Sequence, residues 1–212
     1  MENNCPFCDR KQFEERLIAE TDEFYVIATL GQITDSGYIL VFPKQHVSCL
    51  GAMEEPELVS LSAFLHTKVR PAFESEYPPM KMMFEHGIVG QTIKHAHLHI
   101  VPGEFHISAR LERDFPKESF ERSVLYMSTP LIDLGKLYKK KQIPYLLWKD
   151  ESTMFFVPTV CWNPPAPSQY LRIVTAEALD KPERANWRNM DAGLDRKLWT
   201  ETVQRLRSYF HG

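Results

Sequence analysis

Within this chain of 212 residues, His95-Ala96-His97-Leu98-His99-Ile100 sets the tightest constraint on the fold. Polar and apolar side chains alternate there with a period of two, the repeat of a half-buried β-strand rather than of a helix. In a strand the three imidazoles share one face, about 6.6 Å between neighbours, while Ala96, Leu98 and Ile100 share the other. A sheet must therefore pass through this point, with an apolar layer behind it and ring nitrogens in front. Gly87-Ile88-Val89-Gly90 leads in and Pro102-Gly103 stops the strand.

The flanking sequence supplies partners for that sheet. Phe24 to Ala28 and Tyr38 to Phe42 are rich in β-branched and aromatic residues, and Gly31 and Asp35-Ser36-Gly37 lie between them as turn formers. Lys81 to Glu85 reads as a further strand after Pro78-Pro79. A helix is expected from Glu54-Glu55-Pro56, with Leu58, Leu61, Leu65 and Val69 on one face and Pro71 ending or bending it. Beyond residue 104 helical pieces are expected, with Pro116 and Pro130 as starts and Lys139-Lys140-Lys141 as a solvated helix end. Tyr145 to Lys149 and Met154 to Val157 form a hairpin across Asp150-Glu151-Ser152. Asn163 to Pro167 is an extended connector, Ser168 caps a helix through Leu179, and Trp199, Val203, Leu206 and Phe210 mark a final amphipathic helix.

Composition narrows the function classes. The chain is 43% hydrophobic with 13 Phe, 8 Tyr and 4 Trp, which suits a packed core and not a disordered chain. A net charge of −3 gives no basic footprint, so nucleic acid is not an expected partner. The longest uncharged run, Ser152 to Leu171, is interrupted by Pro158, Pro164, Pro165 and Pro167, so no membrane span is expected. No secretory signal is visible, and 4 Cys at this length do not make a disulfide framework. A cytoplasmic protein with reduced thiols is the expectation.

Three imidazoles on one strand face are too far apart to meet at one metal ion, and no acidic cluster nearby completes such a set. Nucleophilic and acid–base use fits better. A neutral imidazole attacks through one nitrogen while the other donates to an orienting carbonyl, and a neighbouring histidine protonates the leaving group.

Gly90-Gln91-Thr92-Ile93-Lys94-His95-Ala96-His97-Leu98-His99-Ile100-Val101-Pro102 resembles the histidine triad (HIT) motif of nucleotide hydrolases and transferases almost position for position. A weaker likeness runs from Cys5 to Pro102, through Gly37-Tyr38-Ile39-Leu40-Val41-Phe42-Pro43-Lys44-Gln45-His46. The resemblance implies attack at the α-phosphate of a nucleotide conjugate. His97 would be the nucleophile that becomes nucleotidylated, His99 would bond to the phosphoryl or bridging oxygen, and His95 completes the triad. Gln91 and Thr92 match positions that line the phosphate site. Glu85 and His86, just before the triad, stand where the best-known members more often show an amide or acid; they are taken as phosphate- or nucleotide-binding candidates, His86 tuning protonation near the phosphates, with a surface-loop histidine as the alternative. Those members also carry Asn or Asp to grip the ribose where Leu30 stands here, which leaves Thr29 or Gln32 to substitute.

Cys5-Pro6-Phe7-Cys8 is half of a tetrahedral zinc site. Zinc-containing relatives of the fold, including galactose-1-phosphate uridylyltransferases, combine such a pair with one histidine after the second strand and one in the triad strand. By that resemblance Cys5, Cys8, His46 and His95 would hold structural zinc, and no organic cofactor is expected. Cys49 and Cys161 read as buried thiols.

The resulting expectation is an α+β HIT catalytic domain over residues 1–110, an antiparallel sheet with a long helix. A mixed α/β extension over 111–212 packs on it. The expected activity is hydrolysis of dinucleoside polyphosphates or nucleoside phosphoramidates through a nucleotidyl-histidine intermediate. A nucleotidyltransferase or phosphorylase, and a nucleotide-binding module with little turnover, are the alternatives. The expected partner is the nucleotide substrate, and a homodimer is left open as the assembly.

Overall fold

Strand pairing runs through both halves of the chain. The computed structural model describes residues 5–80, 82–114, 123–125, 130–150, 153–158 and 166–210. Among them β1 (Leu17–Glu20), β2 (Phe24–Ala28), β3 (Ile39–Pro43), β4 (Met82–Gly87), β5 (Leu98–Val101), β6 (Ser123–Leu125), β7 (Tyr145–Asp150) and β8 (Thr153–Pro158) form one sheet. Its order is β1-β2-β3-β5-β4-β7-β8-β6 and every pairing is antiparallel. Pro116, Cys161, Asn163 and the turn residues Glu151 and Ser152 lie outside the described residues.

Side-chain parity assigns each strand residue to one of two cores. Ile39, Val41, Met83, Leu98 and Ile100 face a core roofed by α1 (Glu55–Phe64), α2 (Arg70–Glu74), α4 (Pro130–Lys141) and α6 (Ala192–Leu206). On the opposite face, Phe84 and Val101 meet α3 (Ser108–Asp114) and α5 (Tyr170–Ala178), while Leu40 and Phe42 meet Phe7 and Phe13. The helices of the first face thus leave the second face for the functional groups. No helix among the described residues is long and apolar enough to cross a membrane.

Pro71 does not end the long helix. Glu57 accepts the Glu54 N–H at its start (2.8 Å), residues Leu65–Val69 widen into a π turn, and α2 continues to Glu74. The wider turn accommodates a ring that lacks an N–H, and Phe73 is carried into the core. The strand expected from His95 is regular only from Leu98. Pro43 has no N–H for the ladder, and its carbonyl is taken by the His95 ring. Ser168 does not cap α5. Gln169 stands at that position in a left-handed conformation (φ 63°), and Tyr170 N–H bonds back to Pro167.

The hairpin β7–β8 forms as the sequence indicates, with Asp150 opposite Thr153. Its consequence was not visible in the sequence: β7 pairs with β4 from Met83 to Gly87, so the C-terminal half lengthens the same sheet.

Candidate active site and metal cluster

His97 and His99 face one cleft, their ring centroids 4.8 Å apart. His97 Nδ1 lies 2.6 Å from the carbonyl oxygen of His95. A carbonyl accepts and never donates, so Nδ1 carries the proton and Nε2 keeps its lone pair. Burial pushes the His97 pKa down to about 4, which keeps the ring neutral at pH 7.

His99 Nδ1 lies 2.5 Å from the Tyr38 hydroxyl. Burial raises Tyr38 to about 12, so the phenol keeps its proton at pH 7 and is able to donate to Nδ1, the arrangement that leaves the His99 proton on Nε2. Nε2 is a buried atom with no hydrogen-bond partner among the described residues. Burial also holds His99 well below its ordinary pKa. His86 is fixed from a different direction. Its Nε2 accepts the Leu171 N–H at the start of α5 (3.0 Å), which puts its proton on Nδ1. Burial lowers its pKa to about 3, so His86 is a neutral ring at the cleft wall.

His95 turns elsewhere. Its Nε2 donates to the Pro43 carbonyl (2.8 Å), and Nδ1 faces Cys5 Sγ at 3.5 Å and Cys8 Sγ at 3.6 Å. His46 Nδ1 stands 3.3 Å from Cys8 Sγ, and all four ligand atoms lie within 4.8 Å of one another. A tetrahedral ion with metal–sulfur bonds of about 2.3 Å and metal–nitrogen bonds of about 2.0 Å has N···S edges of about 3.5 Å. The cluster therefore has the donors and the dimensions of a metal site, and the Pro43 bond fixes the tautomer that coordinates through Nδ1. Phe7 separates this cluster from the cleft, edge-on to both His95 (5.8 Å) and His97 (5.4 Å).

The other residues singled out in the sequence divide between cleft and core. Gln91 and Thr92 line the cleft, and Gln91 donates to Ser48 O (2.9 Å) while its Oε1 is buried with no partner among the described residues. Glu85 is on the far face of the sheet, accepting from Leu50 N–H (2.7 Å) and Tyr145 OH (2.5 Å). Adjacent strand residues point oppositely, so Glu85 and His86 cannot line one cleft. Leu30 and Thr29 reach the cleft, but Gln32 is spent on Thr29 O and on both the N–H and carbonyl of Tyr38. Cys49 is a buried thiol, pushed up to about 11 by burial.

Five further cleft residues have no signature in the sequence: Phe7, Arg16, Gln169, Arg172 and Trp187. The last three come from the C-terminal half. Arg172 donates to the carbonyls of Gly31, Arg184 (2.9 Å) and Ala185 (2.7 Å), and Asp195 accepts the amides of Gly31 (2.9 Å) and Gln32 (3.0 Å). The loop between β2 and β3 is thus held from both sides by residues about 140 to 165 positions away.

A family model and several solved structures are similar to this chain. Residues 10–106 match the HIT domain. Among solved structures, a hypothetical histidine triad nucleotide-binding protein of Sulfolobus tokodaii is 25% identical, covering 46% of this chain and 68% of that one, with a TM-score of 0.40. A HIT family protein of Bacillus anthracis is 23% identical over 56% of this chain and 90% of that one (TM-score 0.44). A HIT family hydrolase of Clostridium thermocellum is 20% identical over 49% and 93% (TM-score 0.34).

Proposed function

We propose, on the match of residues 10–106 to the HIT domain, that this is a nucleotide hydrolase attacking the α-phosphate of a dinucleoside polyphosphate or nucleoside phosphoramidate. The observation that carries this reading is the bond from His97 Nδ1 to the His95 carbonyl, which leaves a neutral Nε2 lone pair at the cleft beside His99 Nε2, unpartnered among the described residues.

In the first step His97 Nε2 forms a bond to the α-phosphorus, and the bond from phosphorus to the leaving group breaks with its electron pair on that group, a phosphoramidate's nitrogen leaving as the amine with a proton taken from solvent. The His95 carbonyl steadies the Nδ1 proton as the ring becomes cationic. His99 Nε2–H donates to the oxygen on which charge develops, and Gln91 and Thr92 supply further polar contacts to the phosphate. In the second step water attacks the phosphorus, the nitrogen–phosphorus bond breaks, and the electron pair returns to His97. The water's proton leaves with the released nucleotide or the solvent.

Zinc is the ion that best suits two thiolates and two imidazoles, held by Cys5, Cys8, His46 and His95. Four protein ligands leave no position for water, so the ion's contribution is structural.

The test is rapid quenching with adenosine and guanosine phosphoramidates and dinucleoside polyphosphates, followed by peptide mapping. The expected result is a nucleotide on His97 and loss of nearly all turnover in His97→Ala. Full activity in a folded His97→Ala protein sinks the mechanism. Release of the free nucleotide rather than a transferred one identifies water as the acceptor.

A further inference from the structure

The cleft is unbalanced in charge. Among the described residues two arginines line it, Arg16 and Arg172, and no Asp or Glu does. Arg16 donates to Ala28 O (2.9 Å) and is influenced by the carboxylate of Asp195. Arg172 is held otherwise, its guanidinium lying 5.4 Å from the centroid of the Tyr38 ring. Its side chain is 97% removed from solvent, since only 3% of it is exposed, and its bonds go to three neutral carbonyls. Among the described residues no carboxylate pairs with it, whereas Arg184 close by is paired with Asp35 at 2.8 Å. A guanidinium cannot shed its proton, so a buried one without a counter-ion carries a desolvation penalty that an anion would relieve.

Gln169 lies one helical turn before Arg172 and lines the same cleft. Its backbone is held at φ 63°, where glycine would be the less strained residue. Its side chain makes no hydrogen bond within the described protein, and its Oε1 is buried. The backbone explains its place: Gln169 N–H bonds to Gly90 O at 2.8 Å, which sets the start of α5 against the loop that holds Gln91. In the same cleft the 92%-buried His99 (8% exposed) has an Nε2 with no hydrogen-bond partner among the described residues.

We propose that α5 supplies a subsite for a second anionic group of the substrate: Arg172 and Gln169 hold a phosphate oxygen of the leaving group, beyond the α-phosphate that His97 attacks. This rests on the proposed attack at an α-phosphate and makes the C-terminal half a specificity-determining part of the site. Arg172 supplies the charge. The Gln169 amide donates from its nitrogen, and the three carbonyl bonds keep the guanidinium from swinging away.

Calorimetric binding of AMP and of α,β-methylene-ADP, with the guanosine pair in parallel, tests this on the full chain. The methylene analogue adds one uncleavable phosphate group. Wild type should bind it about tenfold tighter than the monophosphate, a typical increment for one charge-assisted contact. Arg172→Gln should remove that preference, and Arg172→Lys should retain part of it. Gln169→Ala breaks no hydrogen bond among the described residues, so it should fold as wild type and reduce the preference about threefold. Should Arg172→Gln fail to fold, the Gln169→Ala result decides. Equal affinity of wild type for the two ligands, or an undiminished preference in the folded variants, overturns the inference. The nucleotidyl adduct separates the two readings: an adduct on His97 without the preference removes the subsite alone, and the preference without an adduct removes the reaction alone.

Discussion

His97 Nδ1 stands 2.6 Å from the carbonyl oxygen of His95, while the ring of His95 turns away to Cys5 and Cys8. One residue therefore orients the proposed nucleophile through its backbone and joins the proposed metal-binding cluster through its side chain. The N-terminal segment is tied to the chemistry by this geometry, although none of its thiols reaches the cleft.

Loss of the ion should consequently be felt as a loss of orientation. Cys5→Ser with Cys8→Ser is expected to abolish bound zinc by elemental analysis. The same change should lower kcat about tenfold with little change in KM, the usual scale for disturbing a supporting shell. Unchanged metal content or unchanged kcat in the double variant would show the cluster and the nucleophile to be independent.

The loop between β2 and β3 should depend as strongly on the C-terminal half. Asp195 is buried and accepts the amides of Gly31 and Gln32. Asp195→Ala leaves two buried N–H groups without an acceptor, an expected loss of about 2–4 kcal/mol in urea unfolding. Asp195→Asn keeps an acceptor oxygen and should recover most of it. Equal stability of the two variants would mean that solvent replaces the carboxylate without penalty.

What the sequence makes legible is whatever is local. Alternation located His97 and His99, a run of leucines located the long helix, and a short polar gap located the β7–β8 hairpin. Glu85 shows the limit of reading by adjacency: the same parity that put His86 in the cleft put its neighbour on the other face. Arg172 and Gln169 carry no local signal. Arg172 meets Gly31 across 141 positions, and an arginine on an amphipathic helix looks like any solvated one until α5 is seated on the cleft. β1 and β6 were missed for a simpler reason, since strands of four and three residues contain too little alternation to register.

Glu85 should also shape stability against pH. Burial raises its pKa from 4.5 to about 7, partly offset by the donors Tyr145 and Leu50. Between those values the unfolded chain ionises while the folded one keeps its proton. Stability is therefore lost as pH rises through this window, by about 3 kcal/mol at its upper end. Glu85→Gln should remove this decline, measured as urea-unfolding free energy at pH 5 and pH 8. A decline of the same size in the variant would assign it to another group.

His86 governs the opposite limb. Its ring is neutral in the folded protein because burial, the nearby His97 and the charge of Arg172 all disfavour a second proton, which brings its pKa from 6.5 to about 3. In the unfolded chain the ring protonates as pH falls below 6.5, so the unfolded state binds more protons and stability is lost on acidification. The loss attributable to His86 is about 3 kcal/mol between pH 6.5 and pH 4, and it continues towards pH 3. His86→Gln retains an oxygen that can accept the Leu171 N–H but has nothing to titrate. Its stability should therefore fall by about 3 kcal/mol less than wild type over that range. His97 and His99 remain in both proteins, so a residual acid decline is expected in the variant. Parallel curves for the two proteins from pH 7 to pH 4 would show that His86 is protonated in the folded state, and with it that the Leu171 bond does not fix its tautomer.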